Sequence, residues 1–136
     1  MIVVDSSVWI TALSHVESEH TLSLRKAIST GNVWVADLVL MEVLRGAATE
    51  NAAQKLLRQM AAFPIVQIGG AETAIRAASY YRSLRELGIT VRSSIDVLLA
   101  TYCIEGQHEL LHKDRDFGHF ARFGLRTISA GSAASP

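Results

Sequence analysis

Two kinds of apolar pattern alternate along this chain: short continuous apolar runs, and longer stretches in which apolar residues recur every three or four positions. The first suits strands buried on both faces, and the second suits helices with one inner stripe. Ile2–Val4 is the first run, and Asp5-Ser6-Ser7 comes next as an N-cap for a helix through Val8, Trp9, Ile10 and Leu13. Helical spacing returns at about 21–29, stops near Gly31-Asn32, and gives way to the apolar run Val33–Ala36. Asp37 is placed to cap the next helix, which runs through Leu38, Val39, Met41, Val43 and Leu44 to a stop at Gly46. A further helix covers about 50–62 before Pro64 breaks the pattern.

Residues 65–68 read as a third strand, and a long helix comes after it at about 71–87, with Ala74, Ala77, Ala78, Tyr81 and Leu84 as its expected inner face. Gly88 ends it, Ser93 or Ser94 caps a helix over about 95–105, and Gly106 stops that one. Leu110-Leu111 supplies a fourth strand, then a short helix lies near 116–122 and a last strand around 125–128. Strands alternating with helices predict an α/β fold, a parallel sheet with helices on both faces joined by right-handed crossovers. In such folds ligands bind beyond the carboxyl ends of the strands. The length of 136 residues fits one domain, expected over 1–128, with 129–136 as a short flexible tail of small and polar residues.

That placement rule turns a scatter of acids into a site. Asp5 ends the first strand, Glu42 lies about a turn and a half into the helix after the second, and Asp96 lies in the first turn of the helix before the fourth. Asp114 and Asp116 come after the fourth strand, so all five acids project toward one edge of the sheet. Glu42 is the most informative, because it interrupts an apolar run, and a buried lone carboxylate costs several kcal/mol unless it is paired or binds a metal. Each acid also has a plain structural explanation. Asp5, Asp96 and Asp116 sit where helix caps sit, Glu42 can pair with Arg45, and Asp114 can pair with Lys113. All of these explanations must hold at once, and their coincidence at the strand ends favours a shared metal site. Oxygen ligands without supporting cysteines point to Mg²⁺ or Mn²⁺.

Composition narrows the chemistry further. At 49% apolar residues the chain can build a core, and no apolar run is long enough for a membrane span. With no basic leader at its start, the cytoplasm is the expected compartment. The single cysteine, Cys103, excludes an intrachain disulfide and a multi-cysteine zinc site, and its apolar neighbours mark it as a packing residue. The histidines, His15, His20, His108, His112 and His119, lack a metal-binding spacing and read as surface or packing residues. Thirteen Lys and Arg balance thirteen Asp and Glu. Withdrawing four acids into a metal site leaves a surplus of four positive charges over the rest, enough to favour a polyanion.

The opening IVVDSSVWI, the segment LMEVLRG with Glu42 and Gly46, the segment SSIDVLLATYC with Asp96, and LLHKDRDF with Asp114 and Asp116 occur in that order from Met1 to about Ile128. Together they resemble a PIN-domain ribonuclease of the VapC toxin type. The resemblance implies a PIN-like three-layer α/β/α fold with a five-stranded parallel sheet, an acidic Mg²⁺ or Mn²⁺ centre, and endonucleolytic cleavage of tRNA, rRNA or mRNA. It assigns catalytic roles to Asp5, Glu42, Asp96 and Asp114, with Asp5, Asp96 and Asp114 on the metal. Asp116 matches the acid of the Asp-Phe pair, and Ser6 matches the hydroxyl residue after the first Asp; both are supporting candidates. It further implies a homodimer and a VapB-type antitoxin whose C-terminal segment occupies a groove leading to the acids.

Arg82, Arg85 and Arg92 stand in a basic stretch that suits RNA, although a solvated helix face has the same look. Trp9, Tyr80 and Tyr81 are candidates either for base stacking or for the core. Trp9, Leu13, Leu22 and Leu24 cluster near the start and are expected to leave apolar surface for a partner. A phosphatase of the haloacid-dehalogenase type also opens on a strand and an Asp, but it expects a second Asp where this chain has Ser7. A binding protein without catalysis is a third reading, and the intact set of acids counts against it.

Overall fold

The computed structural model describes residues 1–128; the expected tail, 129–136, lies outside them. Five strands form one parallel sheet: β1 (Ile2–Val4), β2 (Val33–Ala36), β3 (Ile65–Val66), β4 (Glu109–Leu111) and β5 (Arg126–Ile128). Their spatial order is β3-β2-β1-β4-β5. The chain therefore moves outward from β1 in one direction through β2 and β3, then returns to the other side of β1 for β4 and β5. Right-handed crossovers put the helices of the two halves on opposite faces, which makes the three layers expected from the sequence. Strand order reverses at β1, and a cleft opens beyond the carboxyl end of a sheet at such a reversal.

Between β1 and β3 lie α1 (Ser6–Leu13), α2 (Glu19–Ser29), α3 (Asp37–Arg45) and α4 (Glu50–Met60); α1 packs on α2 and α3, and α3 on α4. Between β3 and β4 lie α5 (Ala71–Glu86) and α6 (Ser94–Gly106), packed on each other, and a 3-10 helix (Arg115–Phe123) precedes β5 and packs on α6. Val3, Val4, Val35, Leu110 and Leu111 from the strands are wholly buried, as are Phe117 and Phe120 from the 3-10 helix. Cys103 is buried, as its neighbours required, and burial pushes its thiol up to about 12.

Several local details differ from the sequence reading. Asp37 is the first residue of α3 and does not cap it; its Oδ1 accepts from the amides of Leu38, at 2.9 Å, and Ile68, at 3.1 Å. That second bond occupies the Ile68 amide, and β3 is correspondingly only two residues long. α2 begins two residues earlier than its apolar spacing suggests, because Ser18 and Thr21 form a reciprocal capping box. Ala74 and Ala78 of α5 are exposed, whereas Ala77, Tyr81 and Leu84 lie inward as expected, joined by Thr73 and Tyr80. Gly106 is the last residue of α6, with Gln107 in the left-handed region at φ 58°. A Cβ at Gly106 would collide with the His108 ring, so the close approach of that ring requires glycine.

Candidate functional site

Each acid reaches the reversal point by a different local device. Asp5 is the N-cap of α1 and is nearly fully buried. Its Oδ2 accepts from the Ser7 amide at 3.4 Å and from Ser7 Oγ at 2.5 Å. α3 starts where β2 ends, so its second turn carries Glu42 over the same edge. α6 runs toward the start of β4, which leaves its first turn and Asp96 at the carboxyl edge; Ser93 caps that helix, its Oγ accepting from the Asp96 amide at 3.2 Å. Asp114 lies just beyond β4 and caps the 3-10 helix, its Oδ1 accepting from the Asp116 amide at 2.9 Å.

The five carboxylates line one open cavity of about 790 Å³ together with Ser6, Ser7, Ser93, Arg45, Lys113 and Arg115. The structure thus brings together all the acids named from the sequence, and Ser6 with them. Asp5 and Asp114 are caps as well as cavity residues, so the structural and chemical explanations coexist there, whereas Asp96 and Asp116 sit in first turns that other residues cap. Glu42 does approach Arg45, Oε2 to guanidinium at 3.7 Å, but its Oε1 is buried without a hydrogen-bond partner. Lys113 bonds to Thr11 instead of pairing with Asp114.

Electrostatics report the crowding. Burial, followed by the charges of Asp5, Asp114, Glu42 and Asp116, pushes the Asp96 carboxyl up to about 7. Beside the cavity, His112 is buried against the Phe117 ring at 4.9 Å between centroids, and burial lowers its imidazole against the opposing pull of Asp5 and Asp114. An all-carboxylate donor set, an orphaned buried oxygen on Glu42 and a crowding of acids that opposes the ionisation of Asp96 together suit a hard divalent cation. Among the described residues, no three acidic, His or Cys side chains close into a ready cage. Mg²⁺ keeps several waters and needs few direct protein ligands, so an open acidic cavity fits it.

Ser7 was missed in the sequence reading, which singled out Ser6. The available signal was its position two residues after Asp5, where a hydroxyl can turn back on the carboxylate. Of the arginines, Arg82 and Arg92 line a shared groove between α5 and α6 with Tyr81, Val91, Ser94 and Leu98. Arg85 is turned onto Tyr81 instead, 6.0 Å from the ring centroid, with a 3.3 Å bond to its hydroxyl. Tyr80 is bonded to Glu105 at 2.9 Å and stacked on Phe123, and Trp9 packs in the core against Phe63, so neither is a base platform. Trp9 and Leu24 are core residues, contrary to their expected role as spare surface, whereas Leu22, Ile10 and Val16 are exposed.

The PIN domain profile matches residues 2–123. The chain belongs to the PIN domain family. It is 31% identical over 124 residues to the VapC ribonuclease Mb1587 of Mycobacterium bovis and to ribonuclease VapC11 of Mycobacterium tuberculosis, covering 90% of this chain and 92% of each relative. Among solved structures it is similar to VapBC2 from Rickettsia felis bound to a DNA fragment from their promoter, with TM-score 0.74 and 17% identity over 95% of this chain and 98% of that one. DNA-bound VapBC from Salmonella typhimurium gives TM-score 0.72 and 18% identity over 94% and 96%. These likenesses confirm the PIN fold that the sequence motifs implied.

Proposed function

We propose that this PIN-domain chain is the ribonuclease toxin of a type II toxin–antitoxin pair, a Mg²⁺- or Mn²⁺-dependent endoribonuclease inhibited by a VapB-type antitoxin. The observation that carries this reading is the convergence of Asp5, Glu42, Asp96 and Asp114, from four separate segments, on one cavity where Asp96 is held at about 7 by burial and its acidic neighbours. Relatives at 31% identity are named VapC ribonucleases.

Asp5, Asp96 and Asp114 would hold the metal, and Glu42, which lines the same cavity, would orient the reacting water. When bound, a divalent ion offsets the phosphodiester charge and acidifies water. Ser7 fixes the Asp5 carboxylate, and Ser6 and Asp116 line the same wall. Arg82 and Arg92, which line the α5–α6 groove with Ser94, the neighbour of the cavity residue Ser93, guide the RNA strand, with Arg85 in a lesser role. RNA as substrate makes the cytoplasm the place of action, and among the described residues no helix is long and apolar enough to cross a membrane.

A groove of about 250 Å³ between α1 and α2, lined by Ala12, Leu13, Val16, Leu24 and Ile28, offers the antitoxin an apolar seat. Exposed Ile10, Leu22 and Met41 leave further apolar surface for a homodimer. Induced expression in bacteria tests the reading: the wild-type chain should arrest growth, the Asp5→Asn chain should not, and co-expression of an antitoxin encoded just upstream should restore growth. Arrest by a folded Asp5→Asn chain would refute it.

A further inference from the structure

Lys113 is a cation that the acidic cavity leaves unneutralised. It lies two residues beyond the end of β4 and lines the same cavity as the five carboxylates, yet among the described residues it forms no ion pair with any of them. Its Nζ donates instead to Thr11 Oγ1 at 2.8 Å, a contact between residues 102 positions apart. Thr11 Oγ1 in turn donates to the Ser7 carbonyl at 2.9 Å, one turn back along α1. The lysine is therefore tied to the same helix that Asp5 caps, by a neutral hydroxyl.

That arrangement has a chemical consequence. A lysine ammonium is a flexible, strongly hydrated point charge with three donors, and near carboxylates it ordinarily swings onto one of them. Here one donor is committed to Thr11, which restrains the chain without discharging it. The remaining donors stay available, and the carboxylates stay free for metal. A strand of nucleic acid entering this cavity meets repulsion from five acids, so a fixed positive charge on the rim is what a phosphate group next to the cleaved one would need.

Resting on the ribonuclease reading of the cavity, we propose that Lys113 binds a non-bridging oxygen of the RNA backbone phosphate beside the scissile one, and that Thr11 pre-positions it for that contact. Lys113 is exposed, so replacing it leaves the core untouched. The test uses the Asp96→Asn chain in Mg²⁺, titrated with a labelled mixed-sequence single-stranded RNA across a range of salt. Adding Lys113→Gln should weaken binding severalfold and reduce the slope of log affinity against log salt by about 0.7, the release expected for one phosphate contact on a single strand. Lys113→Arg should retain the slope. Thr11→Val should weaken binding less than Lys113→Gln with the slope unchanged, because the charge remains but is no longer held. Wild-type affinity and slope in Lys113→Gln would overturn the proposal while leaving the ribonuclease reading intact. Absence of salt-dependent RNA binding by the Asp96→Asn chain would overturn this proposal, and absence of RNA cleavage by the wild-type chain in Mg²⁺ as well would overturn that reading with it.

Discussion

Ser7 Oγ donates to Asp5 Oδ2 at 2.5 Å, so the hydroxyl that orients the first acid comes from the second residue after it. A bond to an ionised group contributes about 1.5–3 kcal/mol, and Asp5 is nearly buried, with little solvent to replace it. Ser7→Ala should lower the thermal midpoint and weaken Mn²⁺ binding, whereas Ser6→Ala should do less of both. Calorimetric melts with and without Mn²⁺ compare the two; a larger effect at Ser6 would contradict the assignment.

Asp96 carries the pH dependence. Its folded carboxyl titrates at about 7, against 3.8 for an ordinary Asp. A raised folded pKa means that the proton is held in the fold and released on unfolding. The associated stability is fully present below about pH 4 and is lost as pH rises toward 7. In chelator, the thermal midpoint of the wild-type chain should therefore fall across that window by more than that of Asp96→Asn, and the variant should be the more stable of the two above pH 7. Added Mg²⁺ should narrow that gap by stabilising the wild type more. Parallel midpoint curves for the two chains would refute the raised carboxyl.

Asp114 and Asp116 separate by what their substitution removes. Asn caps a helix about as well as Asp, so Asp114→Asn keeps the bond from the Asp116 amide and loses only charge. Cleavage should fall more than tenfold in Asp114→Asn with an unchanged midpoint, and less in Asp116→Asn. The reverse ranking in a kinetic assay would move the fourth acid to Asp116.

The α1–α2 groove yields a partner test. Leu13→Glu places a charge in its apolar wall, which should abolish inhibition by the antitoxin while retaining RNA cleavage by the free chain. Cleavage assays with saturating antitoxin measure this, and full inhibition of the variant would place the antitoxin elsewhere.

The strands and the acids were legible in the sequence for the same reason: apolar runs such as Val33–Ala36 mark buried strands, and residues just after a strand must lie at the sheet's carboxyl edge. Glu42 was readable because a carboxylate inside an apolar run demands a purpose. The inner face of α5 was readable only in part: Ala77, Tyr81 and Leu84 lie inward as read, but alanines at 74 and 78 carry too little apolar bulk to fix the helix's rotation, and Tyr80, packed on Phe123, joins the inner side. Asp37 misled because an acid after a strand has the look of a cap, while its actual partner, the Ile68 amide, lies 31 residues away. Lys113 was invisible as a site residue for the same reason of distance: Thr11, which holds it, belongs to the opposite end of the chain.

The central claim is that carboxylates at the β1 edge act on RNA through a divalent metal, and cleavage of cellular RNA by the purified chain tests it most directly. Sequencing of RNA 5′ ends should show cuts at defined positions in Mg²⁺ or Mn²⁺. The cuts should disappear in EDTA, return with added metal, and be absent from a folded Asp96→Asn chain. Full cleavage in EDTA, or by the folded Asp96→Asn chain, would contradict the account.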